Sequence, residues 1–189
     1  MRSFLALPLP DPVAAALTWL QAGLPFGRPV PQPNLHLTLA FLGDQPEARL
    51  IALDEALREL DAPAVPLEIT GLGSFGGDRP RLLFADVAPV PELLALHRAI
   101  RGALRLAAMP APKERFHPHI TLFRFGAGLR PQLAERLPAL LADHPLPDLP
   151  AATLDRVGLY RSSLRPEGAR YDLLADYPLA PAAGLSPPG

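Results

Sequence analysis

Two stretches of the chain carry the same pattern, and any fold it adopts has to accommodate both. Residues 36–43 read His-Leu-Thr-Leu-Ala-Phe-Leu-Gly, and residues 119–126 read His-Ile-Thr-Leu-Phe-Arg-Phe-Gly. His36 aligns with His119, Thr38 with Thr121, Leu39 with Leu122 and Gly43 with Gly126. Apolar and polar residues alternate, as in a half-buried strand whose residues i and i+2 share a face. Each copy therefore presents an imidazole and a hydroxyl roughly 6–7 Å apart along one strand face. Two such strands brought together would surround one small anionic group with two acid/base residues and two hydroxyl donors. A histidine serving only the core or the solvent gives no reason for His and Thr to recur at one offset, followed by glycine at one place.

The surroundings of the two stretches repeat as well. A strand is expected over 3–9, then a helix capped by Asp11 with Pro12 in its first turn and Val13, Leu17 and Leu20 at helical spacing. A Gly/Pro loop (23–34), the first motif strand (35–42), a helix (46–60) and a strand (65–69) follow. The stretch 71–77 reads as a glycine-rich loop. After a strand over 81–87 comes a helix over 91–106 with Leu93, Leu96, Ile100 and Leu104 on one side. A loop (108–115), the second motif strand (116–125), a helix (129–141), a strand (154–160), a turn (163–168) and a last strand (169–178) complete the order. Gly71-Leu72 echoes Gly158-Leu159. The expected fold is α+β: two pseudo-symmetric lobes, each a small, mostly antiparallel sheet with helices packed outside, and an active-site cleft between them. One bilobal domain over 1–179 is expected, an internal duplication with halves of about 1–78 and 79–179. The small-residue tail 180–189 reads as disordered.

Composition narrows the function. Formal net charge is −1 over 189 residues, so no global basic field drives binding along a nucleic-acid duplex. An RNA partner would have to be gripped locally, at an end or a loop. With no cysteine, disulfides, thiolate metal sites and a cysteine nucleophile are excluded. No apolar run reaches the ~18 residues of a membrane span, and the first residues do not read as a signal peptide. The chain is read as a cytoplasmic monomer with no membrane partner.

Two histidines suit acid/base pairing. Free imidazole titrates near pH ~6.5, so at neutral pH one ring can be neutral and its partner protonated at little cost. The neutral ring takes a proton from an attacking water while the protonated one gives a proton to the departing alkoxide. Each transfer contributes about 10²–10⁴ in rate. The hydroxyls of Thr38 and Thr121 suit the non-bridging phosphoryl oxygens, whose charge grows in the transition state. The scheme requires no metal and no cofactor.

A duplicated chain with two His-x-Thr-x motifs resembles the two-histidine (2H) phosphoesterases, most closely their RNA 2',3'-cyclic phosphodiesterase, or 2'-5' RNA ligase-like, branch. The residues that carry the resemblance are His36-Leu37-Thr38-Leu39, Phe116-His117-Pro118-His119-Ile120-Thr121-Leu122 and Leu159-Tyr160-Arg161-Ser162. The resemblance implies hydrolysis of RNA 2',3'-cyclic phosphate ends to 2'-phosphates, a role in RNA processing. It makes His36 the proton donor, His119 the proton acceptor, Thr38 and Thr121 the phosphate holders, and Arg124 a basic helper. Some family members also join RNA ends through a 2'-5' linkage.

Other readings remain open at this level. The substrate is an RNA end with a 2',3'-cyclic phosphate, or a small cyclic nucleotide phosphate or 2'-5' oligonucleotide. A non-catalytic module that binds RNA ends is a third possibility. His117 stands two residues before His119, which invites a metal-site reading that no carboxylate at a helpful spacing supports. His97 and His144 read as surface residues. Phe41, Phe123 and Phe125 are candidates for base stacking, and Arg79, Arg81, Lys113 and Arg115 for contacts to the RNA backbone.

Overall fold

The computed structural model describes residues 1–26, 28–110, 115–165 and 168–181. In chain order its elements are β1 (Arg2–Pro8), α1 (Asp11–Gly23), β2 (His36–Asp44), α2 (Glu47–Arg58), β3 (Val65–Leu67), β4 (Ile69–Phe75) and β5 (Leu82–Val87). Then come α3 (Pro91–Leu106), β6 (His119–Arg124), α4 (Pro131–Ala142), β7 (Ala152–Leu154), β8 (Arg156–Arg165) and β9 (Gly168–Pro178). A short 3-10 turn, Gln32–Asn34, leads into β2.

Periodicity accounts for most of this. Leu93, Leu96, Ile100 and Leu104 recur at helical spacing on α3 and are all fully buried, each worth about 1.5–3 kcal/mol of apolar burial. Leu50, Leu53 and Leu57 do the same on α2, and Val13, Leu17 and Leu20 on α1. These side chains form one core with Leu5 and Leu7 of β1, Leu37 of β2 and Ile120 and Leu122 of β6. One face of the sheet is thus packed on the apolar sides of the helices. The alternate residues of β2 and β6, His36, Thr38, His119 and Thr121, are half-buried on the other face.

The strands form one antiparallel sheet of seven, in the order β4-β5-β6-β2-β1-β8-β9, beside a two-stranded sheet of β3 and β7. The α+β, mostly antiparallel fold class is therefore as expected, but the lobes are not separate sheets. They are wings of one sheet, joined where Leu37 of β2 pairs with Ile120 of β6. Strand order is pseudo-symmetric about that pair. β2 and β1 are followed outward by β8, and β6 and β5 by β4. The outer strand of each wing thus comes from the other part of the chain, and β9 has no counterpart.

Several local expectations change. Residues 69–75 form strand β4, not a glycine-rich loop. Its glycine at position 73 is required by a close approach, since a Cβ there would lie 2.6 Å from the Phe84 ring across the strand pair. Pairing of Gly73 with Phe84 and of Gly158 with Ala6 makes Gly73-Ser74-Phe75 the counterpart of Gly158-Leu159-Tyr160. The echo at Gly71-Leu72 was therefore two residues out of register. The hairpin between β8 and β9 is tighter than a turn over 163–168, because β8 runs to Arg165 and β9 starts at Gly168. Asp11 opens α1 as a helical residue, with Pro10 at the cap position. Ala180 is held by hydrogen bonds to Ala62 and Ala64, so position 180 itself is part of the ordered structure. Residues 182–189, and Lys113, lie outside the described residues.

Candidate active site

Antiparallel pairing centred on Leu37 and Ile120 decides how the two motifs meet. Both of these residues are fully buried toward the helices, so their neighbours on either side share the opposite face. The register then crosses the motifs, setting His36 toward Thr121 and Thr38 toward His119. Each histidine has a hydroxyl beside it from its own strand and another from its partner strand. The four expected residues come together on one surface.

Both rings are held in the same tautomer. His36 donates from Nδ1 to the backbone carbonyl of Asn34 at 2.7 Å, and His119 donates from Nδ1 to that of His117 at 2.7 Å. Since a carbonyl can only accept, Nδ1 carries the proton in each ring and Nε2 is left to exchange one. Asn34 and His117 occupy the same place, two residues before each histidine. Each is also anchored: Asn34 donates from Nδ2 to Ala169 of β9 at 2.8 Å, and the ring of His117 lies 2.9 Å from the Asp86 carboxylate. This accounts for His117, whose carbonyl orients His119 while its ring pairs with Asp86. Among the described residues no group of three His, Asp or Glu is placed to ligate a metal ion.

Aromatic walls surround the rings. Phe4 lies 4.9 Å from His36 and Tyr171 5.4 Å, while Phe75 and Phe84 lie 5.1 and 5.2 Å from His119. Burial among such groups disfavours an imidazolium, and the His36 pKa is pushed down to about 4, chiefly by desolvation, with Arg124 and His119 adding to the depression. His119 is also lowered by burial, but the Asp86 carboxylate acts in the other direction. The positive charge of Arg124 adds to the lowering at both rings.

Arg124 reaches this face because of a bulge. Phe84 pairs with Thr121 while Leu83 pairs with Phe123, leaving Leu122 as an extra residue. Strict alternation would have pointed Phe123 with His119 and Thr121 and sent Arg124 to the core. With the bulge, Leu122 and Phe123 are both buried and Arg124 is exposed. Strand β2 has the same device. Ala6 pairs with Thr38 and Leu5 with Ala40, so Leu39 is the extra residue and Phe41 emerges on the motif face. Both motifs then end in a glycine with left-handed backbone, Gly43 at φ 68° and Gly126 at φ 54°, a conformation other residues adopt only at a cost. This is why the repeat closes on glycine.

Of the three stacking candidates, only Phe41 is on the cleft side. Phe123 is in the core, and Phe125 packs against Phe26 at 5.5 Å. Among the basic candidates, Arg115 lines the cleft, whereas Arg81 donates to the Gly126 carbonyl. His97 is not a free surface residue, because its ring stacks on Phe116 at 3.9 Å. The cleft has a volume of about 1210 Å³, with Thr38 and Phe41 on one wall and Phe116 to His119 on the other. Sequence reasoning missed Asn34, Asp86 and Gln21. Gln21 is a buried amide on α1 that donates to the carbonyls of Leu122 and Val30 at 2.7 and 3.0 Å, tying the 29–30 loop to the bulge of β6. The placing of Asn34 and His117 two residues before each histidine was the one available signal.

The chain is similar to known proteins over most of its length. It is 35% identical to an RNA 2',3'-cyclic phosphodiesterase of Thermus thermophilus over 95% of this chain and 90% of that one. It is 32% identical to an RNA 2',3'-cyclic phosphodiesterase of Escherichia coli over 65% of this chain and 71% of that one. Among solved structures, E. coli LigT complexed with phosphate superposes with a TM-score of 0.73 at 27% identity, covering 95% of this chain and 97% of that one. E. coli LigT complexed with 3'-AMP gives 0.73 at 25%, covering 94% and 96%. No helix among the described residues is long and apolar enough to cross a membrane. The model of the 2'-5' RNA ligase superfamily matches residues 9–165, most of the chain, and the protein belongs to that superfamily.

Proposed function

We propose that this protein opens RNA 2',3'-cyclic phosphate ends to 2'-phosphomonoesters, using its two histidines as a general acid and base and no metal. The observation that carries the reading is the crossed pair of His-Thr motifs about Leu37 and Ile120, with both rings held as Nδ1–H tautomers. It is supported by similarity to proteins named RNA 2',3'-cyclic phosphodiesterase.

Neutral His119 accepts at Nε2 the proton of a water that attacks phosphorus. His36 donates from Nε2 to the 3' oxygen as the O3'–P bond breaks, and the phosphate stays on the 2' oxygen. Thr38, Thr121 and Arg124 hold the non-bridging oxygens. With a 5'-hydroxyl in place of water, the same attack joins two RNA ends through a 2'-5' linkage. The order of roles follows the family resemblance. It asks His36, neutral in the free protein, to be protonated in the complex. The substrate supplies the reason: a buried imidazole without a counter-charge loses its proton, and an anionic phosphodiester beside it in a poorly hydrated cleft restores the protonated form.

Incubation of an RNA bearing a 2',3'-cyclic phosphate, in the presence of chelator, is expected to yield a 2'-phosphate end. A 3'-phosphate product would contradict the assignment of the leaving oxygen, and loss of turnover in chelator would defeat the metal-free scheme. The pH dependence of kcat/KM reports the free protein. Activity needs one ring protonated and one neutral. His36 titrates at about 4 and His119 below its ordinary value. The profile is therefore expected to peak on the acid side of pH ~6.5 and to fall toward pH 8, whereas kcat, which reports the complex, peaks at higher pH. A kcat/KM maximum above neutral would contradict the burial of the two rings.

A further inference from the structure

We propose that the outer side of α3 carries the RNA strand away from the cleft, with Arg98, Arg101 and Arg105 holding backbone phosphates of the nucleotides that precede the cyclic end. The inference rests on the phosphodiesterase reading and deepens it, from a cyclic phosphate of any size to the end of a single-stranded RNA.

Helix α3 touches the cleft and runs out of it. Leu94 and His97 line the cleft together with Arg115 and Phe116. Helix residues three and four apart are neighbours, so Arg98 follows on from Leu94, and Arg101 and Arg105 continue the row begun by His97. That row extends about 12 Å past His97, at ~1.5 Å per residue. Arg98 and Arg105 are exposed and Arg101 is half-buried, while Leu93, Leu96, Ile100 and Leu104 of the same helix are in the core. One side of α3 builds the fold, and the other is a basic stripe turned to solvent. His97 joins stripe and cleft. Its ring lies flat on Phe116, at 3.9 Å and 6°, which sets the segment carrying Arg115 against the helix. Burial lowers the His97 pKa, and the charge of Arg101 adds to the lowering.

The charge pattern points to a polyanion. Arg98 and Arg101 are three apart and Arg101 and Arg105 four apart, spacings at which like charges destabilise a helix. Glu92, in the first turn, is the one carboxylate of α3. Among the described residues no carboxylate forms an ion pair with any of the three arginines, whereas Arg58 is paired with Asp54, and Arg161 and Arg170 with Asp172. Arg105, in the last turn, gains from the helix dipole, but Arg98 and Arg101 are too far from the end to do so. In a chain of net charge −1, this concentration of unanswered cations suits a run of phosphates. A single row on one helix follows one strand and not a duplex. Phosphate contacts read no base, so the stripe confers a preference for length without a preference for sequence.

The test compares wild type with the combined Arg98→Gln, Arg101→Gln and Arg105→Gln variant. The substrates are a nucleoside 2',3'-cyclic phosphate and a single-stranded oligoribonucleotide with the same end. A second variant, Arg49→Gln, Arg136→Gln and Arg156→Gln combined, removes equal charge from α2, α4 and β8. The α3 variant is expected to raise KM for the oligonucleotide by about 10- to 100-fold and to lessen the slope of log KM against log salt by about 2, at about 0.7 per phosphate contact. Its kcat should stay within a few-fold of wild type, and its KM for the mononucleotide should not change. The second variant should alter neither substrate. Equal loss on both substrates, no loss on the oligonucleotide, or the same loss from the second variant would overturn the proposal. Glutamine is a good helix former and relieves the repulsion, so the α3 variant should melt no lower than wild type. If wild type turns over neither substrate, the phosphodiesterase reading fails. Fluorescence anisotropy with a 3'-phosphate-ended oligoribonucleotide then decides the stripe: weaker binding by the α3 variant supports it, and equal binding rejects it.

Discussion

His36→Ala and His119→Ala are each expected to lower kcat on a 2',3'-cyclic phosphate end by about 10²–10⁴, with KM changed far less. The structure explains why the loss is confined to turnover. Both rings are held by a backbone carbonyl on the face opposite the core, so truncation removes a proton carrier without opening a cavity among the buried leucines. Leaving-group chemistry then separates the two roles. A phosphodiester of p-nitrophenol expels an anion that needs no proton. His36→Ala should therefore recover most of its lost rate on that substrate, while His119→Ala, which lacks the base for water, should not. The reverse pattern would exchange donor and acceptor. That outcome has a physical route, since Asp86 favours a protonated His119 and, among the described residues, no carboxylate does the same for His36. Equal recovery by both variants, or neither, would remove the division of roles altogether.

The second large effect is expected at the threonines. Thr38→Val or Thr121→Val should each cost about 10²–10³ in kcat, the loss that follows removal of one preorganised donor to a developing oxyanion. Thr38→Ser and Thr121→Ser should stay within about tenfold of wild type. Valine is the nearest isostere of threonine and a better strand former, so a merely structural role would make valine the mild substitution and serine the harmful one. Steady-state kinetics on the four variants, with thermal melts to confirm folding, distinguish the two. Retention of full activity by the valine variants would take the threonines out of the phosphate site.

Much of this arrangement is local in origin and was therefore legible in the chain. The alternation around His36-Leu37-Thr38 and His119-Ile120-Thr121 correctly places Leu37 and Ile120 in the core and the polar residues opposite them. The spacing of Leu93, Leu96, Ile100 and Leu104 correctly marks the buried side of α3. The reading failed where local preference was overruled. Glycines in residues 71–75 suggest a loop, yet the segment is a strand, because pairing with β5 and the Phe84 ring over Gly73 make the missing side chain useful. Strand β7 was missed because three residues are too few to show a period, and they are ordered by pairing with β3.

The sequence alone determined that two strands would each carry a histidine and a threonine on one face, because a period of two depends only on the pleat of a single strand. The glycine ending each motif was likewise a local necessity, since both positions take a left-handed backbone. Tertiary structure decided the rest. Pairing of Leu37 with Ile120 joined the two wings and crossed the motifs. The bulges at Leu39 and Leu122, set by how many residues of β1 and β5 oppose them, decided that Phe41 and Arg124 are exposed on the motif face instead of buried in the core. Register is a relation between strands, so no periodicity within one of them could have shown it.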